Sequence, residues 1–213
     1  MQTAISYNDA APFWDKIAPK YAKKPVADPA AYEEKLARVG ALLRAEDRVL
    51  EIGCGTGSTA LRLAPRVAEI TATDISNEMI AIAEKKRADA MVANVSFRKA
   101  AANERLVEAP FDVITAFSLL HLVDDVPEAL DAVFAQIRPG GLFISKTVCL
   151  DDAPVFLRLF VRALRLIGIA PKVTMLSKND LHKALVKAGF DILESRYFGK
   201  GRLNPFIIAK RPI

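Results

Sequence analysis

The residues best able to do chemistry lie in one short run, Glu51-Ile52-Gly53-Cys54-Gly55-Thr56-Gly57. Three alternating glycines can take positive φ and carry no Cβ, so the chain can turn sharply and bring its amides close to a ligand. A negative group is favoured where such a loop opens a helix, and ligands of open parallel sheets sit beyond the carboxyl ends of the strands. Asp74 is the second element. It lies 21 positions beyond Gly53, at the end of the next strand, where a carboxylate can accept hydrogen bonds from both hydroxyls of a ribose. Loop and acid together point to an adenosine-containing cofactor; alone, the loop is a tight turn and the acid a surface aspartate. His121, after Phe117-Ser118-Leu119-Leu120, is the imidazole best placed to act as a base, and its alternative is a helix-start histidine bonded to backbone. His182 falls on a late helix and reads as a surface residue.

These residues require a scaffold that alternates strand and helix. Two helices are expected first, Ala11 to Ala22 and Ala30 to Leu43, separated by Pro25 and Pro29. Strands follow at Arg48 to Ile52, Glu69 to Thr73, Val95 to Arg98, Asp112 to Phe117 and Leu142 to Val148. Helices fall between them at Ser58 to Ala64, Asn77 to Arg87 and Pro127 to Ile137, the last stopping before Pro139-Gly140-Gly141. A helix from Asp180 to Ala188 and strand-like runs at Phe190 to Phe198 and Phe206 to Ala209 close the chain. The pattern predicts an α/β fold: a doubly wound, mostly parallel seven-stranded, Rossmann-like sheet with N-terminal helices and one antiparallel edge strand from the final hairpin. One domain is expected over 1–213, with a helical lid at 1–45, a cofactor-binding core at 46–150 and a substrate-side helix and hairpin at 151–213.

Bulk properties narrow the setting. With 213 residues, 52% of them hydrophobic, the chain can bury a sizeable core and is not a disordered chain. The net charge of +5 favours anionic partners, but the basic residues are spread along the chain, which favours a solvated surface over a nucleic-acid patch. Two cysteines outside any CxxC pair argue against a disulfide framework or a zinc site and suit a cytoplasmic location. Neither a signal peptide nor a membrane-spanning run is expected.

The spacing is GxGxG after a glutamate, not the GxGxxG that nicotinamide proteins favour. Here the sequence resembles the class I S-adenosylmethionine-dependent methyltransferases, whose first motif has the form ExGxGxG. The resemblance continues through Asp74-Ile-Ser-Asn-Glu-Met79, Phe111-Asp112-Val-Ile, Ile137-Arg-Pro-Gly-Gly-Leu-Phe143 and Gly189-Phe190. The opening FWDKIAPKYAKKP is similar to the start of small-molecule and quinone-type members. The resemblance implies S-adenosyl-L-methionine as cofactor. It implies that Glu51 holds the loop and, directly or through water, the cofactor's amino group. Gly53, Cys54, Gly55 and Gly57 would form the loop, Asp74 would hold the ribose, and Ile75 and Met79 would pack on the adenine. Many relatives carry Asp after the third strand. Here Ala101 takes that place, with Ala102 and Asn103 beside it, so a backbone carbonyl or Asn103 would substitute.

Methyl transfer from a sulfonium needs alignment and exclusion of water more than covalent help. Phe117 and Ser118, ending the fourth strand, should face the methyl group. Their Phe-Ser-Leu-Leu context differs from the [Asp/Asn]-Pro-Pro-aromatic pattern of many enzymes that methylate nucleic-acid bases or amides. Tyr21 is the best candidate for a lid over the cofactor. The segment from Pro154 to Gly168 is apolar almost all round, with a stripe at Arg158, Arg162 and Arg165. Its readings are a lid over an apolar acceptor, which the fold favours, a subunit contact, a contact with anionic membrane, or a core helix with one wet edge. The expected function is methyl transfer to a small, fairly apolar acceptor. The rivals are a nicotinamide-dependent oxidoreductase and a non-catalytic module that keeps the cofactor fold.

Overall fold

In the computed structural model, residues 10–166 and 171–213 are described. Two helices come first, α1 (Ala11–Lys23) and α2 (Pro29–Gly40). Asp28 caps α2 by accepting from the Ala31 amide at 3.0 Å, and Pro29 supplies the fixed φ of a first helical turn. The alternating region is β1 (Arg48–Ile52), α3 (Ser58–Leu63), β2 (Glu69–Asp74), α4 (Asn77–Asp89), β3 (Val95–Lys99), β4 (Phe111–Phe117), α5 (Val126–Gln136) and β5 (Ile137–Lys146). Then come α6 (Val155–Leu166), α7 (Lys178–Lys187), β6 (Asp191–Arg196) and β7 (Phe206–Lys210).

The seven strands form one sheet in the order β3-β2-β1-β4-β5-β7-β6. The expected antiparallel strand is β7, which lies one place in from the edge, paired on both sides with β5 and β6. Every other pairing is parallel. Two cores flank the sheet. One takes Leu36 and Val39 of α2, Ala60 and Leu63 of α3 and Ala83 of α4; the other takes Leu130 and Val133 of α5 with Leu181 and Leu185 of α7. The strand order reverses between β1 and β4, so their carboxyl ends diverge and open a crevice where ligands of such sheets bind.

Two expected boundaries moved for local reasons. The strand expected at Leu142 starts at Ile137, because Ile137 already pairs with Phe111 and an irregularity absorbs Pro139-Gly140-Gly141 before pairing resumes at Leu142. The helix expected at Asp180 begins at Lys178, because Ser177 and Asp180 form a reciprocal capping box. The helix expected to reach Gly168 is described as far as Leu166; Gly168 lies outside the described residues, as do the side chains of Arg162 and Arg165.

Candidate functional site

A cavity of about 270 Å³ lies at the switch point, at the carboxyl ends of β1, β2 and β4 and against α1. Its floor is the glycine loop. Gly53, Gly55 and Gly57 take φ of 67°, 54° and 74°. The Cys54 amide donates to the Thr73 carbonyl at 2.9 Å and ties the loop to β2. Asp74 finishes the tie: one carboxylate oxygen accepts from the Gly55 amide at 2.9 Å and the other from the Ser76 amide at 2.9 Å. Burial raises the Asp74 carboxyl above its ordinary value, and the bonds from the Ser76 and Gly55 amides oppose the rise.

The three glycines have different surroundings. A Cβ on Gly55 would meet only the Tyr21 ring, at 3.9 Å, so this face opens into the cavity. A Cβ on Gly53 would stand 2.6 Å from Leu119, whose side chain is part of the cavity wall. Gly57 does not line the cavity; a Cβ there would strike Phe97 at 2.5 Å and Ala83 at 2.8 Å. Its role is close packing of α3 on β3 and α4.

Helix α1 forms the roof. Asp15 accepts from the Ser76 hydroxyl at 2.6 Å and from the Glu78 amide at 3.1 Å, pinning α1 to the start of α4. The Ser76 bond holds the Asp15 carboxyl below the usual carboxylate range. Phe13, Trp14 and Tyr21 consequently face the cavity, with Trp14 and Tyr21 edge to face at 6.5 Å. The far wall is Phe117, Ser118, Leu119, Leu122 and Val123 after β4. Ser118 holds a left-handed φ of 56°, which a non-glycine residue adopts at a cost, while its amide donates to the Lys146 carbonyl at 2.7 Å. Ile75, Met79, Ala100 and Ala102 complete the side next to Asp74, and Asp124, ion-paired with Lys172, stands at the rim with Pro171.

Tyr21, Gly53, Gly55, Asp74, Ile75, Met79, Ala102, Phe117 and Ser118 are thus brought together. Glu51, Cys54, Gly57, Ala101, Asn103 and His121 are not among the residues lining this cavity. Cys54 is buried behind the loop, and burial keeps its thiol protonated. Ala101 closes a turn in which its carbonyl accepts from Glu104, and Asn103 donates to Glu128 at 2.9 Å. Ala100 and Ala102 form the wall where those two residues were expected.

His121 sits in a 3-10 turn, Leu120–Leu122, behind the cavity-lining residues, with its side chain buried and its Nδ1 without a hydrogen-bond partner. Burial pushes its pKa down to about 4. The unfolded chain therefore binds more protons than the native one below pH 6.5, and stability should fall as pH drops from 6.5 toward 4. Replacing His121 with Leu removes this proton uptake, so the variant should lose less stability than wild type between pH 7.5 and 5. The difference approaches about 2 kcal/mol and is measurable by urea melts at both pH values. Parallel pH profiles for the two proteins would refute the assignment.

Sequence reasoning missed Lys35. It is 4% exposed, its Nζ stands 3.9 Å from the centre of the Phe117 ring and 4.7 Å from that of Tyr32, and burial lowers its pKa to about 8. Glu51 is its buried electrostatic counterpart: burial raises that carboxyl to about 7 against the opposing charge of Lys35, and its Oε2 has no hydrogen-bond partner. The clue was position: Ala31, Lys35 and Val39 recur at four-residue spacing on the buried face of α2.

A model of the methyltransferase domain family matches residues 26–195. The chain is 27% identical over 156 residues to a ubiquinone biosynthesis O-methyltransferase of Paracidovorax citrulli, a match covering 70% of this chain and 65% of that protein. The chain thus spans less than two thirds of that relative's length. Among solved structures, magnesium protoporphyrin IX methyltransferase of Synechocystis with bound SAH shares the fold at a TM-score of 0.74 and 14% identity, covering 97% of this chain and 100% of that one. The [4+2]-cyclase SpnF shares it at 0.78 and 19%, covering 99% and 97%.

Proposed function

The chain belongs to the methyltransferase domain family, as a class I S-adenosylmethionine-dependent enzyme, and from that membership we propose that it methylates a small, largely apolar acceptor in the cavity beneath α1. The lining carries this reading. Trp14, Phe13, Phe117, Leu119, Leu122 and Val123 supply much of the lining, and the charged side chains are Asp74 beside the glycine loop and the ion-paired Asp124 and Lys172. Such a surface gains by burying an apolar ring and gives little to a strongly charged acceptor. The names of the similar proteins, which concern ubiquinone precursors and a porphyrin, suit an acceptor of that kind.

The residues present fit the cofactor. Gly55 leaves open space in front of a backbone amide that Asp74 holds in place, and a buried carboxylate oxygen of Glu51 lacks a partner. S-adenosylmethionine, when bound, supplies an electrophilic methyl group. Asp74 would accept from the ribose hydroxyls with the lone pairs its two amide bonds leave free. Ile75 and Met79 would pack against the adenine, and Tyr21 would cover the loop. Glu51 stands behind the loop, which leaves contact through water as the form its role would take. Phe117 and Ser118 would set the acceptor's approach, and the apolar wall would exclude water.

Asp74→Ala should weaken S-adenosylhomocysteine binding by about 1–3 kcal/mol, because the ribose hydroxyls lose a charged acceptor and the Gly55 and Ser76 amides lose their partner. Calorimetry on the folded variant checks this, and unchanged affinity would exclude the assigned role. The acceptor reading is tested by mass-spectrometric turnover on a panel that pairs apolar phenols and hydroxylated rings with polar amines, peptides and RNA. Turnover confined to the polar or macromolecular members overturns it.

A further inference from the structure

Helix α6 turns an apolar side to the solvent. Val155 is 59% exposed, Phe156 74%, Leu159 57% and Phe160 58%. At 3.6 residues per turn these four positions fall within an arc of about 140°. Positions 158, 162 and 165 form the adjoining stripe, and Arg158 pairs with Asp151 at 3.3 Å. None of the described α6 side chains lines the cavity, and Phe156 and Phe160 are exposed. An amphipathic helix ordinarily buries its apolar arc, so this one calls for a partner.

Charge identifies the partner. Within α6 the charged residues are Arg158, Arg162 and Arg165, with no Asp or Glu. A second copy seated on this face by a two-fold contact would bring the same basic residues against each other, which opposes self-association. A surface that is apolar below and anionic above matches both halves of the helix at once: aromatic and aliphatic side chains enter the acyl boundary while basic ones stay among headgroups. No helix of the described residues is long and apolar enough to cross a membrane, so the contact would lie in the plane of the interface. We propose that α6 is an interfacial helix that seats this protein on anionic phospholipid. The proposal does not depend on which acceptor is methylated.

The test is co-sedimentation of the full chain with phosphatidylcholine vesicles, with and without phosphatidylglycerol. Wild type should sediment with the anionic vesicles, far less with the neutral ones, and less as salt is raised. Phe156→Ser with Phe160→Ser should lower partitioning at least about tenfold, and glutamine at 158, 162 and 165 about a hundredfold. Both sets should keep S-adenosylhomocysteine affinity, which shows that the core is intact. The wild-type lipid and salt titrations decide the matter even where a variant fails to fold. No sedimentation of wild type at low salt overturns the proposal, as does binding that neither set of changes affects. A dimer that the phenylalanine changes dissociate, in a protein that ignores vesicles, would assign the face to a second copy instead.

Discussion

Gly55→Val should abolish measurable S-adenosylhomocysteine binding, a loss of at least about a hundredfold, while leaving a folded protein. The φ of 54° at Gly55 is a left-handed conformation that costs an L residue about 1–2 kcal/mol, more when it is β-branched. That strain is modest beside the stability of an ordinary domain, about 5–15 kcal/mol. A Cβ here meets nothing closer than Tyr21 at 3.9 Å, so the added side chain enters the cavity rather than the core. It takes the open space beside Gly55 that a ligand would fill, and the loop is held from moving aside by the bond from the Gly55 amide to Asp74 at 2.9 Å. Calorimetry and a thermal melt on the same sample check both halves. Near-normal affinity would show that the ligand does not meet the loop at this position.

Gly57→Ala should do the reverse: a large loss of stability, about 2–5 kcal/mol, from left-handed strain and overpacking together. The new methyl would lie 2.5 Å from one Phe97 ring carbon, 2.7 Å from another and 2.8 Å from the Ala83 Cβ. Phe97 belongs to β3 and Ala83 to α4, both in the core, so relief requires α3 to move away from the sheet. For a domain of this size each kcal/mol shifts the melting temperature by about 2–4 °C. The variant's cofactor affinity, measured well below its melting temperature, should change far less than that of Gly55→Val. A melting temperature equal to wild type would show that the helix accommodates the methyl without displacement.

The contrast between these two glycines shows how far the motif could be read. In the sequence Gly55 and Gly57 are equivalent members of one alternating run. In the fold one faces a cavity and the other faces Phe97, because Gly55 lies in the loop proper while Gly57 is the N-cap residue of α3, where the chain packs on β3 and α4. Asp74 was legible for a similar local reason: it ends a strand whose five preceding residues, Glu69 to Thr73, pair in parallel with β1, and that pairing alone brings it to the loop. His121 was not legible. Its position after β4 is local, but its burial depends on segments distant in the chain, such as Thr174, whose amide donates to the His121 carbonyl at 2.8 Å.

The sequence by itself determined the elements and their alternation, the glycine loop, the acid that ends β2 and, through the joint spacing of its motifs, the class of cofactor. These are properties of short stretches: strand and helix periods, φ values that only glycine takes readily, and caps a few residues from what they cap. The tertiary structure alone decided which side chains share the cavity. It placed Asp15 on the start of α4, set Lys35 between Tyr32 and Phe117 near Glu51, turned Asn103 toward Glu128, buried His121 and faced Phe156 and Phe160 outward. Each of those outcomes depends on contacts between residues far apart in the chain. Such contacts follow from how amphipathic faces stack on the sheet, and the identity of a residue does not say which of its neighbours in space will be polar, apolar or water.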